Sequence, residues 1–161
     1  MPELERFVGY KAWADELIYS AVAKLPLDAI TAPRPIVFGS ILRTLNHVYA
    51  MDQVWRAHLE GRAHGFTTRN PPDCPSFASL RSQQQDIDSW YTSYAHSLTA
   101  SQRAQSVEFE FIGGGAGSMT RADILLHVVN HTTCHRGHIG DMFYNLSATP
   151  PTTDLPVYLS Q

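Results

Sequence analysis

The spacing of apolar residues along the chain predicts four amphipathic helices. Apolar side chains recur at every third or fourth position from about residue 3 to about residue 25, and Pro26 ends this pattern. Ser40 is a suitable N-cap for a second helix that reaches about Glu60, and Gly61 follows as a typical C-terminal residue. Core positions with the spacing of a bundle seam predict a third helix: Phe77, Leu80, Gln84, Ile87, Tyr91, Tyr94 and Leu98.

The segment before the fourth helix has a different period. Apolar residues alternate over residues 107–111, which predicts a short exposed strand, and the glycine-rich residues 113–117 predict a flexible turn that could return a second strand. Thr120 with Asp123 three positions later predicts the start of the last helix, which runs to about Asn145.

These elements predict an all-α fold, an up-and-down four-helix bundle with a small β-hairpin before the last helix. Residues 27–39 and 65–75 are rich in Pro and Gly and predict loops between the first three helices. A chain of 161 residues is long enough to bury one core and shows no internal repeat. We therefore expect a single domain over residues 1–161.

Composition and charge exclude several classes of protein. The chain is 43% hydrophobic and 17% charged, which is typical of a folded globular protein. A formal net charge of −3 and the lack of any Lys or Arg run argue against a nucleic-acid partner. No apolar run approaches the ~18 residues of a membrane-spanning helix, and charges interrupt the N-terminal apolar positions. Two cysteines, Cys74 and Cys134, are too few for a disulfide framework, so we expect a cytoplasmic protein.

Half of the eight histidines lie in residues 127–138 of the last predicted helix. On a helical wheel, His131 and His135 are closest to the apolar face, whereas His127 and His138 lie further round the flank. The inner pair is separated by one helical turn, about 6 Å, which lets two imidazoles reach one metal ion. Coordination would also satisfy two polar rings that are costly to bury. No Glu lies between them, which excludes the metalloprotease pattern HExxH.

A third ligand has to come from another helix, because one straight helix does not easily place three side chains around one ion. The second helix offers His47 and His58, which lie at nearly the same helical angle, so periodicity alone leaves both open. The more internal position of His47 favours it. We interpret His64 and His96 as solvated surface residues.

Other reactive side chains near these histidines do not form a clear site. Asp52 and Asp141 lie on the two histidine-bearing helices, but neither points clearly at the metal position, so no general base is assigned. Arg136 could meet an anionic substrate, although solvation or a salt bridge between helices is the favoured interpretation. Cys134 lies on another face of the helix and is interpreted as a small packed residue.

Several segments resemble one known family. LNHVYAMDQVW at 45–55 and LLHVVNHTTCHRGHIGDMF at 125–143 are similar to the DinB-like, or damage-inducible, family of metal-binding four-helix bundles. YKAWA at 10–14 resembles the aromatic N-terminal signature of that family, and Gly39-Ser40 resembles the opening of its second helix. The resemblance spans nearly the whole chain.

The resemblance implies a set of metal ligands and partners. The three metal histidines of the family correspond to His47, His131 and His135, so the implied third ligand is His47 rather than His58. Nickel or zinc and a homodimer are also implied. The family often carries Gln where this chain has His138, and we interpret His138 as a residue that either lies at the flank or orients a ligand. Coordination by His138 would instead close the site and make it structural.

Three imidazoles leave an open coordination position, which is typical of a catalytic metal site. A metal ion strongly lowers the pKa of a thiol, and the wider family resembles thiol-dependent transferases and isomerases. Our first hypothesis is therefore a metal-dependent enzyme of the thiol S-transferase type, with a small-molecule thiol and an electrophile as partners. Two alternatives stay open: a stress-associated metal-binding protein without turnover, and a metal-dependent hydrolase that activates water.

Overall fold

The four predicted long helices are all present in the computed structural model, which describes residues 3–161. In chain order, the elements are α1 (Glu3–Val22), α2 (Leu27–Thr31), α3 (Ile41–Glu60), α4 (Phe77–Ser97), α5 (Ala100–Arg103), β1 (Ser106–Glu110), β2 (Ala116–Thr120), α6 (Arg121–Tyr144) and α7 (Leu155–Leu159). The two strands pair antiparallel, with Ser106 opposite Thr120 and Glu110 opposite Ala116. The predicted helical bundle with a hairpin before its last long helix is confirmed.

The capping residues explain where the long helices begin and end. The Ser40 hydroxyl accepts a hydrogen bond from the Arg43 amide at 3.1 Å, and the Thr120 hydroxyl accepts one from the Asp123 amide at 3.1 Å. Each bond satisfies an amide that has no partner within its helix. Gly61 ends α3 with φ of 68°, a left-handed conformation that glycine adopts without steric cost.

The short elements differ from the prediction. Residues Leu27–Thr31 form a helix inside the predicted 27–39 loop, and α1 ends at Val22 rather than near residue 25. The short helices α5 and α7 were also not expected, because four or five residues are too few to show a helical period. The strand β1 is not fully exposed, since Val107 and Phe109 are buried.

The long helices are not packed in the order of the sequence. Helix α1 packs against α4 and α6, and α3 packs against the same two helices, so α1 and α3 lie diagonally across the bundle. This arrangement makes α3 and α6 direct neighbours. The two helices that carry the predicted metal ligands therefore share an interface.

A polar layer separates two apolar clusters along the bundle. One cluster includes Val8, Trp55 and Val128, and the other includes Ile18 and Ile139. Between them lie buried polar residues from all four long helices: Lys11, Asp15, His47, Asp52, Gln84, Asp88, Thr132, His135 and Arg136. Two of the predicted metal ligands, His47 and His135, thus belong to this polar layer.

Lys11 is the centre of the polar layer. Its side chain is 1% exposed, and its Nζ atom donates hydrogen bonds to Asp15 at 3.0 Å, Asp52 at 2.9 Å and Asp88 at 2.5 Å. Burial alone lowers the pKa of Lys11, but the three carboxylates outweigh burial and raise that pKa well above its ordinary value. A charged lysine therefore links α1, α3 and α4.

None of the helices within residues 3–161 combines the length and the apolar composition that a membrane-spanning helix needs.

Candidate metal centre

The structure brings the three predicted histidines together at the interface of two helices. His47 lies on α3, and His131 and His135 lie one turn apart on α6. His47 and His135 are buried, and His131 is half-buried. Within residues 3–161, these three form the one group of His, Cys, Asp or Glu side chains whose ligand atoms could hold a metal ion.

The ring nitrogens converge on one point. The Nε2 atom of His131 lies 3.1 Å from Nε2 of His47 and 3.1 Å from Nε2 of His135. All three ligand atoms lie within 4.8 Å of one another. Nitrogens bound at 2.0–2.1 Å to a tetrahedral ion are about 3.3 Å apart, so the observed separations suit coordination with little rearrangement.

Hydrogen bonding among the rings cannot satisfy this arrangement. The Nδ1 atom of His47 donates to the Arg69 carbonyl at 2.6 Å, so the neutral ring directs a lone pair at Nε2 towards the other two histidines. The Nε2 atom of His131 contacts two nitrogens but offers either one hydrogen or one lone pair. A cation accepts all three lone pairs, and a ligand histidine whose second nitrogen bonds a carbonyl is the usual arrangement at metal sites.

A clamp on the 61–76 loop holds the carbonyl that orients His47. Arg43 lies one turn before His47 on α3, and its guanidinium donates to the Pro71 carbonyl at 2.6 Å. This contact ties the loop to the helix two residues beyond Arg69. The loop can therefore hold the Arg69 carbonyl against the Nδ1 atom of His47.

Two further rings fix the orientation of the ligand imidazoles. Phe38 stacks on His47 with ring centroids 3.9 Å apart and an interplanar angle of 19°. The Nδ1 atom of His138 lies 3.2 Å from Nδ1 of His135, on the side of that ring away from the converging nitrogens. His138 thus lies beside a candidate ligand and outside the group of three. This position agrees with its predicted place at the flank.

Burial keeps the three imidazoles neutral at pH 7. It lowers the pKa of His131 to about 3, and the neighbouring His135 and His47 add to the shift. Burial, together with His47 and His138, lowers the pKa of His135 to about 4. The pKa of His47 is also lowered by burial, although its bond to the Arg69 carbonyl opposes the shift. Neutral imidazole is the form that binds metal ions.

A cavity of about 580 Å³ opens on the three rings. Its other walls are mainly apolar and come from α3, the preceding loop and the hairpin: Val37, Phe38, Met51, Val54, Trp55, Phe109, Phe111 and Ile112. Two charged residues, Arg69 and Glu110, also line it, together with His58 and His127. A volume of this size suits a small organic molecule.

Asp52 and Asp141, on the two histidine-bearing helices, lie outside the cavity. Asp52 accepts a hydrogen bond from Lys11 inside the polar layer, and Asp141 is exposed. Glu110 is the one carboxylate among the described residues that line the cavity. No general base is therefore assigned on α3 or α6.

Arg136 is buried in the structure, whereas Cys134, two positions earlier on α6, is exposed. Arg136 is buried, with Nη1 at 3.5 Å from an Asp15 oxygen and Nη2 donating to the Tyr10 hydroxyl at 2.9 Å. The prediction that Arg136 forms a salt bridge between helices is therefore confirmed, and the alternative prediction that its side chain is solvated is wrong. Cys134 is exposed, so its interpretation as a packed residue is wrong. Cys74 is also a free cysteine.

The histidines outside the group of three divide by environment. His96 is exposed and donates to the Thr92 carbonyl at 2.8 Å, as expected for a surface residue. His64 is half-buried instead, because its ring packs against His58 at a centroid distance of 5.3 Å. His58 and His127 line the cavity, which the helical wheel did not indicate.

The spacing of the histidines in the sequence nevertheless indicates that His58 and His127 lie on the same faces as the candidate ligands. His127, His131 and His135 are spaced at successive intervals of four, which places them along one stripe of α6. His47 and His58 share one angle on α3. A wheel centred on the apolar residues places His127 at the flank of α6 and both His47 and His58 at the flank of α3, and so does not predict which of them line a cavity.

Comparisons with known proteins agree with this fold. The model of the DinB family matches residues 1–161. Protein DinB from Bacillus subtilis is 26% identical over 154 residues, covering 93% of this chain and 90% of that protein. The crystal structure of a DinB-like protein from Bacillus cereus superposes with a TM-score of 0.68 at 16% identity, covering 91% of this chain and 94% of the other. The family match extends over the whole sequence, and this chain belongs to the DinB family.

Proposed function

We propose that His47, His131 and His135 bind a divalent transition metal ion, nickel or zinc, and that the site activates a low-molecular-weight thiol for attack on an electrophile. The observation that carries this proposal is the convergence of three neutral imidazole nitrogens at a cavity of about 580 Å³. Imidazole ligands suit zinc, nickel, copper and iron, and the DinB-like resemblance favours the first two.

The donor set supports a site that exchanges ligands. Three histidines from two helices leave at least one coordination position free for a molecule from the cavity. When bound, the ion supplies a Lewis acid that brings the pKa of a thiol below its ordinary value. His47 is kept in the correct tautomer by the Arg69 carbonyl, and Phe38 restricts the rotation of its ring.

The remaining residues of the cavity exclude water and hold the second reactant. Met51, Val54 and Phe109 form an apolar wall beside the histidines, and such surface favours the apolar part of an electrophile. Desolvation of the cavity also strengthens the electrostatic effect of any charge near the ligands. These residues thus bind and orient reactants and transfer no proton.

The proposed reaction is a nucleophilic substitution. The thiol releases its proton to solvent, and its sulfur forms a bond to an electrophilic carbon. The bond from that carbon to the leaving group breaks, and the leaving group departs with the electron pair. With an aryl chloride as electrophile, the products are a thioether and chloride.

The proposal predicts thiol consumption that depends on the histidines. Metal-loaded protein is incubated with an aryl chloride and a panel of low-molecular-weight thiols, and thioether formation is measured. We expect His131→Ala to reduce the rate by at least about 100-fold, since loss of groups that merely orient metal ligands costs 10–100-fold. His96→Ala, which changes an exposed histidine outside the cavity, should keep the wild-type rate.

Two results would contradict the proposal. One is the absence of thioether with every thiol, and the other is an equal rate in wild type and His131→Ala. Hydrolysis of an ester or amide without thiol would instead indicate the hydrolase.

A further inference from the structure

The far end of the cavity carries a second pair of histidines. His58 on α3 and His127 on α6 both pack edge-on against Trp55, with ring centroids 5.5 Å and 4.7 Å from the indole. Both histidines are half-buried and line the cavity. Trp55 thus lies between two imidazoles that come from different helices.

The polar atoms at this end have no hydrogen-bond partner among the residues that the structure describes. Among residues 3–161, neither ring nitrogen of His58 nor of His127 makes a hydrogen bond, and the indole N–H of Trp55 makes none. By contrast, His47, His64, His96, His131, His135 and His138 all have a polar atom within hydrogen-bond distance. These nitrogens are not among the polar atoms sealed from solvent in the core, so a molecule in the cavity is free to form hydrogen bonds with them.

One member of the pair, His127, lies close to the candidate metal ligands, whereas His58 lies eleven residues after His47 on α3, a rise of about 16 Å. His127 lies one turn before His131 on α6, a rise of about 6 Å, and their ring centroids are 5.9 Å apart. A single aromatic ring with substituents at opposite ends spans a comparable distance. One small molecule can therefore contact both ends of the cavity.

The wall between the two ends is suited to a flat apolar group. Met51 and Val54 line it from α3, and Phe109 lines it from β1. Phe109 also packs edge-on against Trp55 at 5.0 Å. Aromatic side chains favour stacked or edge-to-face contacts with an aromatic ligand.

We propose that His58, His127 and Trp55 form a recognition subsite for a hydrogen-bonding group at the far end of a flat, apolar substrate. The other end of that substrate reacts at the three ligand histidines. The inference rests on the proposed function, because it takes the cavity as the place where a thiol meets its electrophile. It names the substrate class: an aromatic or similarly flat molecule with a hydroxyl, carbonyl or amide group opposite its reactive end.

Two matched probes test the subsite by binding rather than by turnover. Para-mercaptophenol carries a thiol for the metal end and a hydroxyl for the far end, whereas para-methylthiophenol replaces the hydroxyl with a methyl group. Their affinities for zinc-loaded protein are measured by isothermal titration calorimetry. We expect the hydroxyl probe to bind wild type about tenfold more tightly, the usual effect of one buried hydrogen bond.

Variants of the two histidines then show which side chain causes the preference for the hydroxyl probe. His127→Phe and His58→Phe keep a ring against Trp55 but remove the nitrogens, and His127→Phe, the change nearer the candidate ligands, should lose most of the preference for the hydroxyl probe. Their affinity for the methyl probe should stay within about twofold of wild type, which also shows that the variants are folded. His96→Phe, outside the cavity, should keep the full preference.

The outcomes separate this inference from the function on which it rests. Equal binding of both probes by wild type overturns the subsite and leaves thiol binding at the metal intact. A preference that persists in full in His127→Phe also overturns the subsite. Failure of both probes to bind zinc-loaded wild type overturns the subsite and the proposed thiol chemistry together.

Discussion

His131 has the most perturbed environment of the candidate ligands. Burial and two adjacent imidazoles lower its pKa to about 3, whereas the ordinary value is 6.5. The same features that disfavour the protonated ring favour metal coordination, because both place a neutral lone pair in a site with little water. Burial of these imidazoles costs free energy, and metal binding would offset that cost.

This perturbation predicts how acid affects the metal-free protein. Below pH 6.5 the unfolded chain protonates His131, but the folded chain does not do so until about pH 3. The unfolded state therefore binds one more proton between these values, and stability decreases as pH falls by about 1.4 kcal/mol per pH unit for this residue. Urea unfolding at pH 7, 6, 5 and 4 measures the effect.

The control for this prediction is His131→Phe, which has no titrating group at that position. The free energy of unfolding should fall less steeply with acid in the variant than in wild type, by the amount that His131 contributes. Parallel curves for the two proteins would contradict the assigned burial of His131.

Single residues also show how far the sequence could predict the site. Helical spacing selected His131 and His135, since both lie on one face of one helix. Spacing could not separate His47 from His58, because the two share an angle on α3 and differ only in position along it. The packing of α3 on α6 decides between them: His47 lies beside His131, and His58 lies at the far end of the cavity.

At the scale of elements, local chemistry predicted the long helices well. Ser40, Gly61 and Thr120 have the predicted capping roles, because each interaction involves residues within five positions. The clamp between Arg43 and the 61–76 loop was not predictable, since it joins residues 28 positions apart. The orientation of His47 depends on that clamp.

The alternation of apolar and polar residues in the hairpin predicts a strand but not its packing partner. The pattern of residues 107–111 indicated one apolar face but not what covers it. In the structure Phe109 packs against Trp55, so the hairpin forms a wall of the cavity. Gly117 lies opposite Phe109, and an added Cβ would come within 2.6 Å of that ring. A glycine at this position therefore leaves space for the ring that closes the cavity.

At the scale of the whole molecule, the polar layer joins the four long helices. Lys11 and Arg136 face Asp15, Asp52 and Asp88, so the buried carboxylates outnumber the buried cations. Burial raises the pKa of Asp88 to about 7, although Lys11 opposes the shift. Sequence periodicity could not predict this network, because its members occupy apolar positions on four separate helices.

Loss of Lys11 should strongly destabilise the protein. Lys11→Met removes the shared partner of three buried carboxylates, and breaking a buried ion pair costs about 3–5 kcal/mol. Lys24→Met, at an exposed position just after α1, should change stability by no more than about 0.5 kcal/mol. Denaturant unfolding of the three proteins at pH 7 gives the comparison. Similar stabilities of both variants would show that Lys11 does not organise the polar layer.

The central claim is that three histidines from two directly packed helices, α3 and α6, form a metal centre. The most direct test is elemental analysis of protein purified without a His tag, exposed to zinc or nickel and then desalted. Wild type and His58→Ala should each retain about one ion per chain, whereas His47→Ala should retain much less, because two imidazoles on one helix hold an ion weakly. Full metal retention by His47→Ala, or no retained metal in wild type, would contradict the account.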